Sequence, residues 1–428
     1  MHAARTFHLR MPTMRILSLL LLSTLLCDSA LAQKPAKESG KKDAAKATKE
    51  AKQDAKNTKD AKKPAQEAKK PAQKTPEQLA FEAEMQQKGF VEANGAWVEK
   101  ERVDDAKRGV FHWNGELVAK DEYRALQAGK VRHAVTGELI AAEDLEKSRA
   151  RSFPIEGGKR WVDEKEADRW HEDASHPWML TTQHYVLVST LPIAKIESLR
   201  EHADRSIARI SSALGDAKPL PAYRPGVFVA PTQDQFNQFG AQIGDETSAY
   251  GAFLAREEAA LKLPLQGEVR PAVCLWDENW GPYYLPHAVG LGYVHGVLAS
   301  AEVELPKWLL QGFASVGSRF GNPDTGKWFC QNLAKTGGLK PLEKWFADFA
   351  IDGEMESDAI SANLTQAGFL VDFAMSGGDA DAKAALAALA TALSAQKASG
   401  IEKAAKAFQS AMAKCQDALD KHFQKQVR

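Results

Sequence analysis

Four glycines, Gly95, Gly115, Gly137 and Gly158, recur at spacings of 20, 22 and 21 residues, each in the same local pattern. The units read GFVEANGAWVEKE, VFHWNGELVAKDE, VRHAVTGELIAAED and FPIEGGKRWVDEKE. After each glycine come a large apolar and a β-branched residue: Trp97-Val98, Leu117-Val118, Leu139-Ile140 and Trp161-Val162. Asn-Gly and Thr-Gly between apolar positions predict tight hairpin turns, where glycine accepts a positive φ. The acidic cluster that follows suits the first turn of a short helix. One such unit is too small to bury its own apolar face. The units must therefore stack on each other or on a larger body. Trp97, Trp113, Trp161 and Trp170 read first as the small core of this array, with glycan or peptide binding as the alternative.

Charge divides the chain further. The 56 basic residues equal the 56 acidic ones, but residues 34–74 hold 14 Lys against 6 Asp and Glu, and residues 1–33 hold three Arg against one Asp. The rest of the chain is then net acidic, which argues against a nucleic-acid binder. Arg10 and Arg15, the apolar run Ile16–Leu26 and the small-residue site Ala30-Leu31-Ala32 read as a secretory signal over residues 1–32. Cys27 offers a lipoprotein alternative, although Leu26 is bulky where a lipobox takes Gly, Ala or Ser. No other stretch approaches the roughly 20 apolar residues of a membrane span, so none is expected in the mature chain. Residues 33–79 read as a disordered spacer rich in Lys, Ala and Pro, because they carry almost nothing apolar to offset ordering entropy. A cationic tether to an anionic envelope component is the alternative.

Cys274, Cys330 and Cys415 remain after the signal, an odd number that permits one disulfide and a free thiol. No CxxC pair exists for a thiolate zinc site, and His171, His176 and His184 fit no standard zinc spacing. From Trp178 the pattern becomes mixed. HYVLVST (184–190), GVFVA (226–230) and AVCLW (272–276) predict strands, and Ile193–Leu214 predicts a helix stopping at Gly215. Helices are also predicted around Gln233–Ile243, from about Pro286 to Ala301, after LPKW, and through 340–428. Asp379–Gln396 and Gly400–Gln426 read as amphipathic helices.

The segment LPHAVGLGYVHGVLASAEVELPKWLLQGFASVGSRF, Leu285–Phe320, is the most informative. Its LPKWLLQGFAS half resembles the third-ligand helix of the peptidase MA-like family of gluzincin zinc metallopeptidases, whose pattern is LPxWLxEGxA after an upstream HExxH helix. The resemblance extends from about Trp178 to the C-terminus. It implies two His at i and i+4 on one helical face, a Glu beside the first as general base, and a Glu from the next helix as third ligand. On that frame His295 falls at the second His and Leu291 at the first. Gly292 falls at the base and Gln311 at the third ligand. One ligand of three survives and the base is gone. A single imidazole does not hold zinc, so no cofactor is expected. Trp280, Tyr283, Tyr284, His287 and Trp308 are candidates to line the former cleft, and Pro306 and Trp308 also read as anchors of the second helix.

The expected fold is α+β: a mostly helical zincin-like domain over 176–428 with a small N-terminal sheet, preceded by hairpin and helix repeats over 80–175. The expected function is an exported pseudopeptidase, periplasmic, envelope-bound or extracellular, that binds a polypeptide or envelope component and has no catalytic residues of its own. Two alternatives stay open: an active metal-dependent peptidase with a non-standard ligand set, and a structural envelope protein attached through its repeats and Lys-rich segment.

Overall fold

The computed structural model describes residues 75–107, 109–215, 221, 224–237, 251–254, 272–351, 355–376 and 378–428, without the side chains of Leu117 and Ser300. The expected signal and nearly all of the expected spacer lie outside these residues. The repeat boundary drawn at residue 80 from sequence falls inside a helix. Helix α1 (Pro76–Gln87) is opened by Thr75, whose hydroxyl accepts from the Gln78 amide while the Gln78 side chain accepts from the Thr75 amide.

All four hairpins are present, each followed by short helix. Strands β1 (Phe90–Ala93) and β2 (Ala96–Glu99) precede α2 (Val103–Lys107), and β3 (Phe111–Trp113) and β4 (Glu116–Val118) precede α3 (Lys120–Gln127). Strands β5 (Val131–Arg132) and β6 (Leu139–Ile140) precede α4 (Leu145–Arg149), and β7 (Phe153–Ile155) and β8 (Arg160–Val162) precede α5 (Glu164–His171). Asn94-Gly95 and Asn114-Gly115 have positive φ at both residues, the type I′ condition that an Asn-Gly pair meets at low cost. Gly137 is required for a second reason. A side chain there would run into the backbone carbonyl of Thr181.

The repeats do not form one separate body. Phe111, Val118, Tyr123 and Leu126 of the second unit share a small core with Ala93, Ala96, Val98 and Ala106 of the first. Phe153, Ile155, Val162 and Ala167 of the fourth unit instead belong to the main core, together with Val135 of the third. The boundary expected near residue 176 therefore runs through the middle of a packed interior. Polar bridges reinforce the join. Glu122 is buried between Arg132 and Arg224, and the Arg151 guanidinium pairs with Glu164 and Glu197.

A five-stranded sheet follows. It holds β9 (Trp178–Thr181), β10 (Val186–Ser189), β11 (Gly226–Ala230), β12 (Ala252–Leu254) and β13 (Ala272–Leu275), in the order β12-β13-β11-β10-β9. The three inner strands are parallel and the two edges antiparallel. Strands β10 and β11 are buried throughout, as befits central strands covered on both faces. Leu187, Val227, Val229, Ala272 and Cys274 face the helices, while Val186, Val188, Phe228, Phe253 and Val273 form a second layer on the other side with Phe236. The Thr181 amide at the β9 edge donates to the Thr136 carbonyl at 2.7 Å, so the third hairpin lies along that edge.

The helical part begins with α6 (Ile193–Ala213), which ends before Gly215 at φ 58° as the sequence predicts. It continues with α7 (Gly281–Leu298), α8 (Lys307–Arg319), α9 (Pro323–Lys335), α10 (Leu342–Asp348), α11 (Ser357–Ser376), α12 (Ala380–Ala395), α13 (Ala398–Lys414) and α14 (Gln416–Val427). Helix α8 packs face to face on both α7 and α11, with α6 against α7 and α8. Residues 233–237 are helical, and the rest of the helix expected to 243 lies outside the described residues. Two helices replace the single one expected over Gly400–Gln426, because the chain breaks at Cys415. The architecture is α+β and mostly helical. Among the described residues no helix is long and apolar enough to cross a membrane, and Cys274, Cys330 and Cys415 are all buried and free.

Candidate functional site

Helix α7 starts five residues before the expected Pro286. Asp277 Oδ1 accepts from the amides of Asn279 and Trp280 at 2.8 and 2.7 Å, a turn that delivers the chain to Gly281. Pro286 then lies inside the helix, where its ring removes one backbone bond. Ser206 Oγ donates to the Pro286 carbonyl at 2.7 Å and ties the spot to α6. Nearly every residue of α7 from Leu285 to Leu298 is buried. An all-apolar helix of this kind is the central rod of its domain.

Two glycines set the faces of that rod. A Cβ on Gly290 would lie 2.8 Å from the Ala314 Cα, so this side meets α8 at backbone distance. A Cβ on Gly292 would lie 2.7 Å from the Pro225 Cβ, and beyond it is Ala272, so this side meets the sheet. The position that the sequence frame assigns to the general base thus points away from α8.

The imidazole brought to Gln311 is that of His287. Its Nε2–H donates to Gln311 Oε1 at 2.8 Å, and its Nδ1 accepts from Ser318 Oγ at 3.4 Å. His287 is 1 % exposed. Burial, then the charge of Arg319, pushes its pKa down to about 3, against a smaller upward pull from Gln311. The ring is neutral, with one nitrogen donating and the other accepting, and it serves as a strut between α7 and α8. Ala288 beside it is fully buried, and Leu291 one turn on is 1 % exposed in the core. His295, placed at the second-His position from sequence, is half-buried near the end of α7, about 12 Å of helical rise beyond His287. Gln311 is thus met by His287, and Ala288 and Leu291 follow that histidine along α7.

Sequence reasoning missed the polar layer behind His287. Arg319 is 1 % exposed, yet its Nη1 donates to Ser361 Oγ at 3.2 Å and Thr365 Oγ1 at 3.1 Å. Its guanidinium lies 4.2 Å from the Phe329 ring centroid. Nothing in the local pattern around Ser318-Arg319 announces a buried cation, because its hydroxyl partners come from α11, more than 40 residues later.

The expected cleft-lining set separates into three places. Trp280, Tyr283 and Tyr284 stay together at the start of α7, where Trp280 is 39 % exposed. Trp328 of α9, which the sequence did not flag, is equally exposed and joins them, 6.2 Å from Trp280 and stacked on Tyr283 at an interplanar angle of 10°. His287 is buried one turn below. Trp308 is 2 % exposed and lines no cleft. It packs on Phe346 and Phe408 and donates Nε1–H to Gln409 Oε1 at 3.1 Å, which makes it an anchor between α8 and α13.

A gluzincin zinc site needs three deprotonated ligands converging on one point. Among the described residues no group of three or more His, Cys, Asp or Glu is arranged to hold a metal. Around His287 the further positions carry an alanine, a leucine and an amide, and the Nε2 proton is engaged by that amide. This donor set does not fit zinc. His171 and His176 are used locally: His171 stacks on Trp178 at 3.7 Å, and its Nδ1–H donates to the His176 carbonyl at 2.6 Å.

Comparison of the chain with protein-family models, curated proteins and solved structures finds no match.

Proposed function

We propose that the protein is an exported pseudopeptidase, a peptidase MA-like scaffold whose metal centre has been replaced by a neutral hydrogen-bonded strut and which acts by binding a polypeptide. The observation that carries this reading is the His287–Gln311 bond. A single imidazole on the first of two paired helices meets position 311 on the second, within the LPKWLLQG frame, where the family would oppose a histidine and a glutamate across zinc. Ala288 at the base position and Leu291 at the second-ligand position remove both the proton acceptor and the second imidazole. The exposed Trp280 at the start of the same helix and Trp328 of α9, with half-buried Tyr283 beside them, support a binding role, since clustered exposed aromatics are typical of recognition surfaces. Export rests on the N-terminal sequence alone.

Metal analysis of the purified full chain tests the proposal. The natural sequence is expected to carry no stoichiometric zinc and to hydrolyse no peptide. The triple variant Ala288→Glu, Leu291→His, Gln311→Glu is expected to gain zinc binding. One zinc per chain in the natural protein, lost together with peptide hydrolysis on His287→Ala, would overturn it.

A further inference from the structure

We propose that α1 and the first two hairpin units form one arm, hinged at residues 128–130 and latched to the rest of the chain through the carboxylate of Glu122. The arm is tied together internally. Its two units share the small core of Ala93, Ala96, Val98, Ala106, Phe111, Val118, Tyr123 and Leu126. Helix α3 of the second unit also reaches back to the first hairpin. The Tyr123 hydroxyl and Gln127 Nε2 donate to the Trp97 carbonyl at 2.9 and 2.6 Å, and Arg124 Nε donates to the Gly95 carbonyl at 2.7 Å. Helix α1 rests on β1 with Met85 buried. These bonds let the arm move as a unit rather than come apart.

At residues 128–130 the apolar continuity lapses. The core of the arm and the main core are separate groups of buried side chains. Among the described residues, Leu139 of β6 is the apolar side chain from beyond the joint that packs on the arm. Ala128, Gly129 and Lys130 are all exposed. Gly129 has φ 87°, and a Cβ there would meet nothing within 4 Å. One unit later Arg151 holds the same left-handed place just after the helix, at φ 56°, and its guanidinium is tied to Glu164 and Glu197. The exit of the third unit is thus pinned by side chains. The exit of the second carries no such tie among the described residues.

Glu122 reaches over that joint. Its carboxylate is anchored in the arm, where it accepts from the Ala119 amide at 3.3 Å at the start of α3. It pairs with Arg132 at 2.5 Å, just past the joint, and with Arg224 at 2.8 Å, ahead of β11. Arg132 also holds Glu116 of the arm, at 3.3 Å. A buried carboxylate between guanidinium groups holds strongly while it is charged. Once it is neutral, the guanidinium charges are better solvated by water than kept in the closed joint. A contact made this way is two-state, which is what a latch requires. Opening turns Arg132 and Leu139 toward solvent and leaves both cores intact.

The test is a distance measurement by electron–electron double resonance on the full chain. Spin labels go on Glu101→Cys in the arm and Lys383→Cys on α12, both exposed positions, while Cys274, Cys330 and Cys415 are buried. The doubly labelled parent is expected to give one narrow distance. Glu122→Gln, which keeps the shape of the side chain, is expected to raise the ratio of open to closed arm at least about tenfold, and Arg132→Gln to act in the same direction. Two glycines inserted after Gly129 should leave the distance alone while Glu122 is present and broaden it further in Glu122→Gln. Amide exchange in α3 and in β1–β4 should stay as slow as in the parent. An unchanged distance in both latch variants, with or without the insertion, would overturn the proposal. So would a longer distance accompanied by lost protection in α3, since the units would then be melting rather than swinging. None of these outcomes bears on His287, so the arm and the pseudopeptidase reading stand or fall separately.

Discussion

Asp168 on α5 accepts the backbone N–H of Ile193 at 2.8 Å through the same oxygen that takes Trp178 Nε1–H at 3.0 Å. The residue before Ile193 is Pro192, which has no side-chain group to cap α6. A carboxylate from the last repeat therefore does that work at a distance. One atom joins the fourth repeat, the first strand of the sheet and the longest helix.

Asp168→Ala is expected to cost about 2–3 kcal/mol, because two bonds to a charged acceptor are lost and one orphaned donor starts a helix. Urea denaturation followed by both circular dichroism and tryptophan fluorescence checks it. The two signals should move together, since units three and four share the main core. A separate early transition for the repeats, untouched by the substitution, would contradict that coupling.

Glu122 is 7 % exposed at its side chain and faces two guanidinium groups, Arg132 and Arg224. Glu122→Ala leaves both without this carboxylate, and a loss of about 3–5 kcal/mol is expected. Glu122→Gln keeps the shape and should cost less. The denaturation midpoints of the two variants give the comparison, and equal midpoints would show that the charge is immaterial.

His287 gives the stability of the fold a pH signature. Its folded pKa of about 3 lies below the ordinary value of 6.5, so between those values the unfolded chain binds a proton that the folded chain refuses. The contribution is complete above pH 6.5 and is lost as pH falls toward 3, at up to about 1.4 kcal/mol per pH unit. His133, His171, His184, His202 and His422 are lowered mainly by burial and act in the same direction. Denaturation midpoints measured from pH 7 to 4 should fall steadily, and His287→Gln should flatten part of that slope.

The two tryptophans of the α7–α8 pair separate stability from recognition. Trp308→Ala empties a buried site and is expected to cost about 3–5 kcal/mol. Trp280→Ala, at an exposed position, should stay within about 1 kcal/mol of the parent while weakening any polypeptide that the protein captures. Thermal melts and a binding assay on the same two preparations decide it. A large stability loss at Trp280 would make its aromatic cluster a packing feature.

The first two hairpins were legible from sequence because their Asn-Gly turns demand positive φ at two successive residues, a requirement written in the residues themselves. The end of α6 was legible for the same reason at Gly215. The register of the site was not. Periodicity reveals the face of a helix only when one face is polar, and α7 is apolar all round. Spacing alone could not say whether His287 or His295 meets Gln311. That depends on Gly290 nesting against Ala314, a contact made by tertiary packing. The break at Cys415 was hidden too, since no glycine or proline marks it. Strands β9 and β12 are three or four residues long and depend on their neighbours for pairing.

The hydrogen bond from Thr181 to Thr136 has a bearing on solubility. Strand β9 is an edge, and an uncovered edge offers its free amides and carbonyls as a template to any extended segment that drifts by. The third hairpin takes one of those amides, that of Thr181, and Gly137 lets its turn come close enough to do so. A chain trimmed to begin at the sheet would expose the strand and invite pairing between molecules, so the repeats double as a guard against aggregation.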